Sequence, residues 1–143
     1  MPDAHSKFSA SASERWIACP GSLTLAKGKT DRSSVHADEG TAAHTLAEWC
    51  LTSNRDAAAF GGRVVPVENG AVDQVEVTDE MAADVQVYVD QVCEYAKGGE
   101  LLVEQRVNYS EAIGVNPDEG FGTSDAIIVK GSLLIVIDLK FGR

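Results

Sequence analysis

The sequence predicts an α/β or α+β fold in which helices come first and strands last. Between residues 79 and 97, apolar side chains recur in steps of three and four, which places them on one face of a helix. After residue 120 the pattern changes to two apolar, β-branched runs separated by Lys130-Gly131-Ser132, which is typical of a hairpin. Helices and strands in this order pack as layers around one core.

The helical part is predicted to occupy residues 1–99. A short helix over residues 13–16 and a turn over residues 20–25 come first. A longer helix is expected from about Asp38 to Leu51, with alanine and leucine on its apolar face. Residues 53–77 are interrupted by glycines, a proline and an Asn-Gly pair, which indicate a loop with a short hairpin.

The clearest helix is predicted over Asp79–Lys97. Thr78 is a natural N-cap, acidic residues follow it at the positive end of the helix, and Gly98-Gly99 ends the helix. A strand is expected from about residue 100 to 109, and it begins a meander of strands over residues 100–143. With 143 residues, of which 44% are apolar, the chain is expected to form one domain.

The formal net charge of −10 is opposite to what phosphate binding favours. Residues 36–99 hold twelve acidic and three basic residues, whereas residues 1–35 hold three acidic and five basic residues. We interpret the acidic middle as a solvated helical face and not as a binding site. The charge nevertheless argues against tight, non-specific binding of DNA.

The sequence shows no signal for export or membrane insertion. Its first seven residues lack the apolar core of a signal peptide, and no apolar run is long enough to span a bilayer. Three cysteines at wide spacings, Cys19, Cys50 and Cys93, favour reduced thiols over a disulfide framework. We therefore expect a cytoplasmic protein without a membrane partner.

Two carboxylates and an amine are predicted to meet at the ends of the last two strands. Side chains alternate between the faces of a strand, so Asp138 and Lys140 point to the same side. The hairpin places Asp125 opposite Asp138. Carboxylate oxygens suit Mg²⁺ or Mn²⁺, which also keep water and substrate phosphate as ligands. The lysine would then stabilise charge on a phosphate or lower the pKa of an attacking water.

These residues resemble the motifs of the PD-(D/E)XK nuclease superfamily, specifically its RecB-like branch. The matching positions are Asp125, Asp138 and Lys140. Upstream, Gly40–His44 looks like the helical histidine motif of that branch, and Ser13–Pro20 looks like its N-terminal helix and Cys-Pro motif. The residues of these segments are similar to those of an uncharacterised group of phage and prophage proteins assigned to the same superfamily.

The resemblance implies a restriction-endonuclease-like core with a central mixed sheet flanked by helices. It implies a metal-dependent nuclease of phage or prophage type that hydrolyses phosphodiester bonds in DNA and leaves a 5′-phosphate. Asp125, Asp138 and Lys140 would be catalytic, and His44, Asp125 and Asp138 would hold Mg²⁺ or Mn²⁺. Lys140 would support the attacking water. A phage-encoded chain would act in the cytoplasm of the host cell.

Glu48 and Glu104 are supporting candidates at the same site. Glu48 follows His44 by one helical turn, where it could orient the histidine or be a solvated helix charge. Glu104 lies in the strand expected to flank Asp125, where related nucleases often place an acid, although the simpler expectation is an exposed strand glutamate. Some RecB-like nucleases bind a [4Fe–4S] cluster through four cysteines; this chain has three, so we expect no iron-sulfur cluster.

RecB-like nucleases continue past the lysine motif into a glutamine-containing helix and a further strand, whereas this chain ends at Arg143. We therefore expect a fold that lacks its C-terminal part, a 143-residue chain that is a poor nuclease, and homo-oligomers formed through an open sheet edge. The alternative from another functional class is a non-catalytic nucleic-acid-binding or protein-interaction module on a degenerate nuclease scaffold.

Overall fold

The described residues of the computed structural model, 6–29 and 33–142, form four α-helices and five β-strands. The helices are α1 (Ser13–Ala18), α2 (Ser22–Ala26), α3 (Val35–Ser53) and α4 (Asp79–Ala96). The strands are β1 (Val64–Pro66), β2 (Gln74–Glu76), β3 (Glu100–Asn108), β4 (Phe121–Lys130) and β5 (Leu133–Ile137). None of these helices is both long and apolar enough to cross a membrane. The order of elements confirms the α/β class.

The strands form two antiparallel sheets, which corrects the expectation of one central mixed sheet. β1 pairs with β2, and β3, β4 and β5 form a three-stranded sheet in that order. Only two residues join β4 to β5, whereas a parallel pair needs a crossover of about a dozen residues or more. The short connection therefore makes these two strands antiparallel.

The predicted turn between the last two strands is confirmed. Gly131 adopts the left-handed conformation, with a φ of 55°, between the end of β4 and the start of β5. In the paired strands Ala126 lies opposite Ile137. Continuing this register by one residue places Asp125 opposite Asp138, in agreement with the placement expected from the sequence.

The chain forms two compact units, each built from two segments. The first unit comprises Met1–Asp31 and Arg106–Thr123, and the second comprises Arg32–Gln105 and Ser124–Arg143. The chain therefore passes between the units at three points along the sequence. The prediction of one domain over residues 1–143 stays a prediction.

In the first unit, the segment before α1 is tied to the loop that precedes β4. The Phe8 amide donates to the Glu119 carbonyl at 2.9 Å, and Lys7 forms an ion pair with the Glu119 carboxylate. The Tyr109 hydroxyl donates to the Phe8 carbonyl at 2.8 Å. The Trp16 ring packs edge-on against Phe8, with 5.5 Å between the ring centroids. Aromatic packing and backbone hydrogen bonds thus organise this unit together.

In the second unit, α3 and α4 pack against each other and form most of the core. Leu46 of α3 and Val85 of α4 are fully buried. Helix α4 begins as predicted, because the Thr78 hydroxyl accepts a hydrogen bond from the Met81 amide at 3.1 Å. The helix predicted over Asp79–Lys97 is therefore confirmed, one residue shorter at its end.

Helix α3 begins three residues earlier than predicted. Ser34 is its N-cap and accepts a hydrogen bond from the Ala37 amide at 3.2 Å. Asp38 lies in the first turn, is buried, and contacts the loop between β1 and β2. Its Oδ2 accepts hydrogen bonds from the Ala71 and Val72 amides at 2.7 and 2.9 Å. The start of α3 is thus attached to a distant loop.

The Asp38 clamp consists of the Asp38 carboxylate, the Ser33 hydroxyl and the two loop amides that donate to it. These donors, the Ser33 hydroxyl first, hold the pKa of Asp38 below its usual value although burial opposes them. At Gly70 an added Cβ would lie 2.8 Å from Asp38 Oδ1, so the close approach of the loop requires glycine. The short hairpin expected in this region is present as β1 and β2.

Candidate metal centre

Asp125 connects three parts of the second unit. It lies in β4, and its side chain is 12% exposed. Its Oδ2 accepts a hydrogen bond from the Leu139 amide at 2.6 Å, and its Oδ1 lies 3.2 Å from His44 Nδ1 on α3. One carboxylate oxygen therefore holds the segment after β5, while the other faces the histidine.

Glu104 reaches the same place through a strained backbone. Within β3 its φ is 48°, in the left-handed region that non-glycine residues rarely adopt. Such a residue interrupts the regular alternation of a strand and re-aims its side chain, as a β-bulge does. Glu104 is half-buried, which corrects the expectation of an exposed strand glutamate.

His44, Glu104 and Asp125 each offer one ligand atom, and these atoms lie within 4.8 Å of one another. Atoms that share one ion at about 2.1 Å lie at most roughly 4.2 Å apart, so small side-chain movements would bring all three onto a cation. One imidazole nitrogen and two carboxylate oxygens form a donor set that suits Mn²⁺ and, less well, Mg²⁺. These three residues constitute the candidate metal centre.

The acids of the candidate metal centre lie in an environment of like charge. Burial raises the pKa of Glu104, and the negative charges of Asp125 and Glu48 raise it further, whereas His44 lowers it. Glu48 therefore lies close enough to act on the centre, one turn after His44 on α3. A cation among these groups would favour their ionised forms and remove the repulsion.

Asp138 and Lys140 form an exposed ion pair. Lys140 Nζ lies 2.6 Å from Asp138 Oδ2, and the lysine side chain is 88% exposed. The hydrogen bond with Asp138, followed by its negative charge, raises the pKa of Lys140, so the amine keeps its proton at neutral pH. Both residues follow β5, which ends at Ile137, so the strand expected to carry them ends one residue before Asp138.

The structure brings together two of the three metal ligands proposed from the sequence. Within the described ranges, His44 and Asp125 lie in the candidate metal centre, and Glu104 completes the group in place of Asp138. The role of Asp138 as a ligand and the roles of the catalytic candidates stay predictions. Glu104 could be proposed from the sequence because it lies in the strand expected to flank Asp125. Its left-handed backbone could not, because no neighbouring residue predicts it.

A groove of about 450 Å³ borders the candidate metal centre. It is lined by Ala37, Gly40, Thr41, His44, Thr45, Glu48 and Glu104. A Cβ added at Gly40 would have open space around it, so this part of α3 leaves room for a ligand. Among the residues that the structure describes, the charged side chains of the lining are two glutamates, and neither a lysine nor an arginine contributes to it.

Tyr88 is the residue near this centre that the sequence pattern does not single out. It belongs to the buried apolar stripe of α4, as predicted. Burial raises the pKa of its hydroxyl, and the negative charges of Asp125, Glu104 and Asp138 raise it further. A tyrosine at a core position fits the helical spacing of apolar residues as well as a valine does. The spacing therefore does not distinguish a functional tyrosine from one that only packs in the core.

The three cysteines lie outside the candidate metal centre. Cys50 is buried in the core, and burial raises the pKa of its thiol to about 11. Cys19 and Cys93 are exposed. Cys50 therefore stays a neutral thiol at physiological pH and packs as a small apolar side chain.

Comparison with known proteins identifies the family of this chain. Residues 5–143 match the model of a family described as protein of unknown function, DUF2800. No solved structure matches the chain at a significant level. The finer resemblance to RecB-like nucleases stays a prediction. Because the family model covers nearly the whole sequence, the protein belongs to the DUF2800 family.

Proposed function

We propose that this protein is a Mn²⁺- or Mg²⁺-dependent nuclease that hydrolyses phosphodiester bonds in DNA. The observation that supports the proposal most is the convergence of His44, Glu104 and Asp125 from α3, β3 and β4. Three elements contribute one potential ligand each, and two of these ligands, His44 and Glu104, line an open groove, which is an arrangement that catalytic metal sites share. The RecB-like PD-(D/E)XK assignment, with its phage or prophage origin, belongs to this proposal.

The charge of the groove favours a cation-dependent reaction. Its acidic side chains, Glu48 and Glu104, would repel a phosphate that approached the protein alone. The overall charge of −10 acts in the same direction. A divalent cation held by Glu104, Asp125 and His44 would reverse the sign of the local electrostatic potential. Substrate binding should therefore depend on the metal.

The protein groups divide the chemical work. His44, Glu104 and Asp125 would hold the cation, and a bound cation of this type polarises a phosphate and lowers the pKa of its water ligand. Lys140 stays protonated beside Asp138, so it acts as a positive charge and not as a base. Its exposure leaves it accessible to a substrate phosphate, where it would stabilise negative charge that develops during cleavage.

One observation favours the alternative of a non-catalytic binding module. Lys140 is paired with the exposed Asp138 and is not part of the group formed by the candidate metal ligands. A lysine held in this way could serve as a surface contact for nucleic acid or for another protein, without acting in catalysis. Metal-dependent binding of DNA without cleavage would favour this second function.

The experiment that tests the proposal measures cleavage of labelled single-stranded and double-stranded DNA with Mn²⁺, with Mg²⁺ and with EDTA. We expect cleavage by the wild-type chain only when metal is present. Asp125→Ala should lower the rate at least about a hundredfold, because it removes one ligand and the contact to His44.

Asp84→Ala is the matched control, since Asp84 is an exposed acid on α4 outside the candidate metal centre. This variant should cut DNA as the wild type does. Cleavage by Asp125→Ala at the wild-type rate would contradict the assignment of the site. Metal-dependent DNA binding by a wild type that never cuts would replace the nuclease with the binding module.

A further inference from the structure

The segment that carries Lys140 is held to the second unit by few contacts. This lysine segment, residues 138–142, follows β5 and belongs to no helix or strand. The Leu139 side chain is 7% exposed, and Phe141 packs against the core. Among the residues that the structure describes, the backbone of the segment makes one hydrogen bond, which the Leu139 amide donates to Asp125 Oδ2 at 2.6 Å. Asp125 is therefore its polar anchor.

The same carboxylate belongs to the candidate metal centre. Its other oxygen, Oδ1, lies 3.2 Å from His44 Nδ1, and the Asp125 side chain is 12% exposed. The two oxygens of a carboxylate are fixed relative to each other, so a rotation that carries Oδ1 away from His44 also carries Oδ2 away from the Leu139 amide. The position of the lysine segment and the geometry of the candidate metal centre are therefore linked through Asp125.

We propose that Asp125 couples cation binding to the position of the backbone that carries Lys140. The inference rests on the proposed function, since it requires the candidate metal centre to bind a cation. A cation on Oδ1 would hold the carboxylate in one orientation, in which Oδ2 keeps its charge-assisted hydrogen bond from the Leu139 amide. Lys140 is the next residue along the chain, so its backbone would be fixed relative to the cation.

This coupling gives Asp125 two separable roles. As a ligand it contributes negative charge, and as a positioning residue it holds the backbone from which Lys140 reaches a substrate phosphate. The Lys140 side chain is 88% exposed and pairs with Asp138, so the candidate metal centre does not hold the ammonium directly. Ordering the backbone is thus the route by which a cation would influence where this charge lies.

A purely structural account of the lysine segment makes a different prediction. If burial of the Leu139 side chain alone held the segment, its backbone would be equally ordered with and without a cation. If Asp125 couples the two, the cation should order the segment, and the ordered segment should in turn favour the cation, because coupling between two sites is reciprocal. The two accounts therefore differ in a property that can be measured without DNA.

The test measures NMR order parameters of backbone amides with EDTA and with saturating Mg²⁺, which is diamagnetic. In the wild type, Mg²⁺ should raise the order parameter of the Lys140 amide toward about 0.85, the value of rigid backbone. The Gly131 amide is the internal control, because this exposed residue lies in the turn at the other end of β5 and should not respond to Mg²⁺.

Two substitutions of Asp125 separate its roles. Asp125→Ala removes both oxygens, so the order parameter of the Lys140 amide should fall below about 0.6, the range of flexible backbone, with or without Mg²⁺. Asp125→Asn keeps a carbonyl oxygen that can accept from the Leu139 amide but removes the negative ligand. It should retain the order of the metal-free wild type and lose the response to Mg²⁺. Asp84→Ala, which removes an exposed acid of α4, should behave as the wild type does.

Equal order parameters for the wild-type Lys140 amide with EDTA and with saturating Mg²⁺ would overturn the coupling, and this measurement needs no variant. A folded Asp125→Ala variant whose Lys140 amide is as ordered as that of the wild type would overturn it as well. Burial of Leu139 would then hold the lysine segment alone.

Failure of the nuclease proposal has a different signature. A wild type whose lysine segment is ordered by Mg²⁺, yet that leaves DNA intact, contradicts the nuclease and supports the coupling. Metal-dependent cleavage by a wild type whose Lys140 amide does not respond to Mg²⁺ supports the nuclease and overturns the coupling. A wild type that binds no Mg²⁺ also overturns the coupling, and the cleavage assay with Mn²⁺ then decides the nuclease by itself.

Discussion

At the Asp38 clamp a buried carboxylate is surrounded by hydrogen-bond donors, whereas at the candidate metal centre two carboxylates and a histidine surround one another. The donors lower the pKa of Asp38, while burial and neighbouring acids raise the pKa of Glu104. Both sites lie in the second unit, and both use α3. The protein satisfies the first carboxylate by itself, whereas the proposed function requires a cation to complete the second group.

The largest effect on the stability of the fold is expected when Asp38 of the clamp is replaced, because no other group takes over the role of its carboxylate as acceptor. Asp38→Ala leaves the Ala71 and Val72 amides without an acceptor, and we expect the urea midpoint to fall by about 1.5 M. Asp84 is an exposed acid on the next helix, and Asp84→Ala should leave the urea midpoint nearly unchanged. Equal midpoints for the two variants would show that the clamp contributes nothing.

The next effect separates the two sites by their response to metal. Mn²⁺ at a hundredfold excess over its dissociation constant should stabilise the wild type by about 2.7 kcal/mol, because it binds only the folded chain. Asp125→Asn should lose most of this gain, since it removes a negative ligand of the candidate metal centre. Urea unfolding with Mn²⁺ and with EDTA measures both. Stabilisation of the two proteins by the same amount would place the cation elsewhere.

A smaller effect concerns the strained backbone of Glu104. Glycine adopts a positive φ without the penalty that other residues carry, so Glu104→Gly should be more stable than Glu104→Ala by about 1 kcal/mol in metal-free buffer. Both variants lack the carboxylate, so their difference isolates the backbone. A more stable alanine variant would contradict the left-handed conformation.

The smallest effect is on how stability depends on pH in the absence of metal, where Asp38 and Glu104 should act in opposite directions. The pKa of Asp38 is lowered from 3.8, so its contribution to stability is present above that pH and is lost as pH falls below it. The pKa of Glu104 is raised from 4.5, so its contribution is present below that pH and is lost as pH rises through the higher folded value.

Urea midpoints between pH 3 and pH 7 test this contrast. Relative to wild type, Glu104→Gln should lose less stability as pH rises above 4.5, and Asp38→Asn should lose less as pH falls below 3.8. Parallel profiles for wild type and Glu104→Gln would show that neither burial nor the neighbouring acids raise the pKa of Glu104 in the folded chain.

The features that the sequence predicted are those with local causes. Thr78 caps α4 through a residue three positions later, and Gly131 forms its turn between adjacent strands. The pairing of Asp125 with the segment around Asp138 follows from the same turn, because register is set by the hairpin. His44 could be proposed only because its neighbours resemble a family motif.

The features that the sequence did not predict depend on distant contacts. Asp38 was expected only as the start of a helix, yet two of its partners, the Ala71 and Val72 amides, lie more than thirty residues away. Glu104 enters the candidate metal centre through a left-handed backbone in mid-strand, where nothing in the neighbouring residues demands it. Tyr88 fits the helical period, so the sequence does not reveal that its buried oxygen has no hydrogen-bond partner among the described residues.

The two oxygens of Asp125 have different partners, and this difference bears on the size of the ion that the candidate metal centre would accept. Oδ2 accepts a hydrogen bond from the Leu139 amide, which leaves it one lone pair fewer than Oδ1, the oxygen that faces His44. Calcium commonly takes six to eight oxygens and often both oxygens of one carboxylate, whereas magnesium and manganese need fewer, closer ligands. If the centre holds a cation as proposed, the backbone hydrogen bond from Leu139 would favour small cations over large ones before any substrate is present.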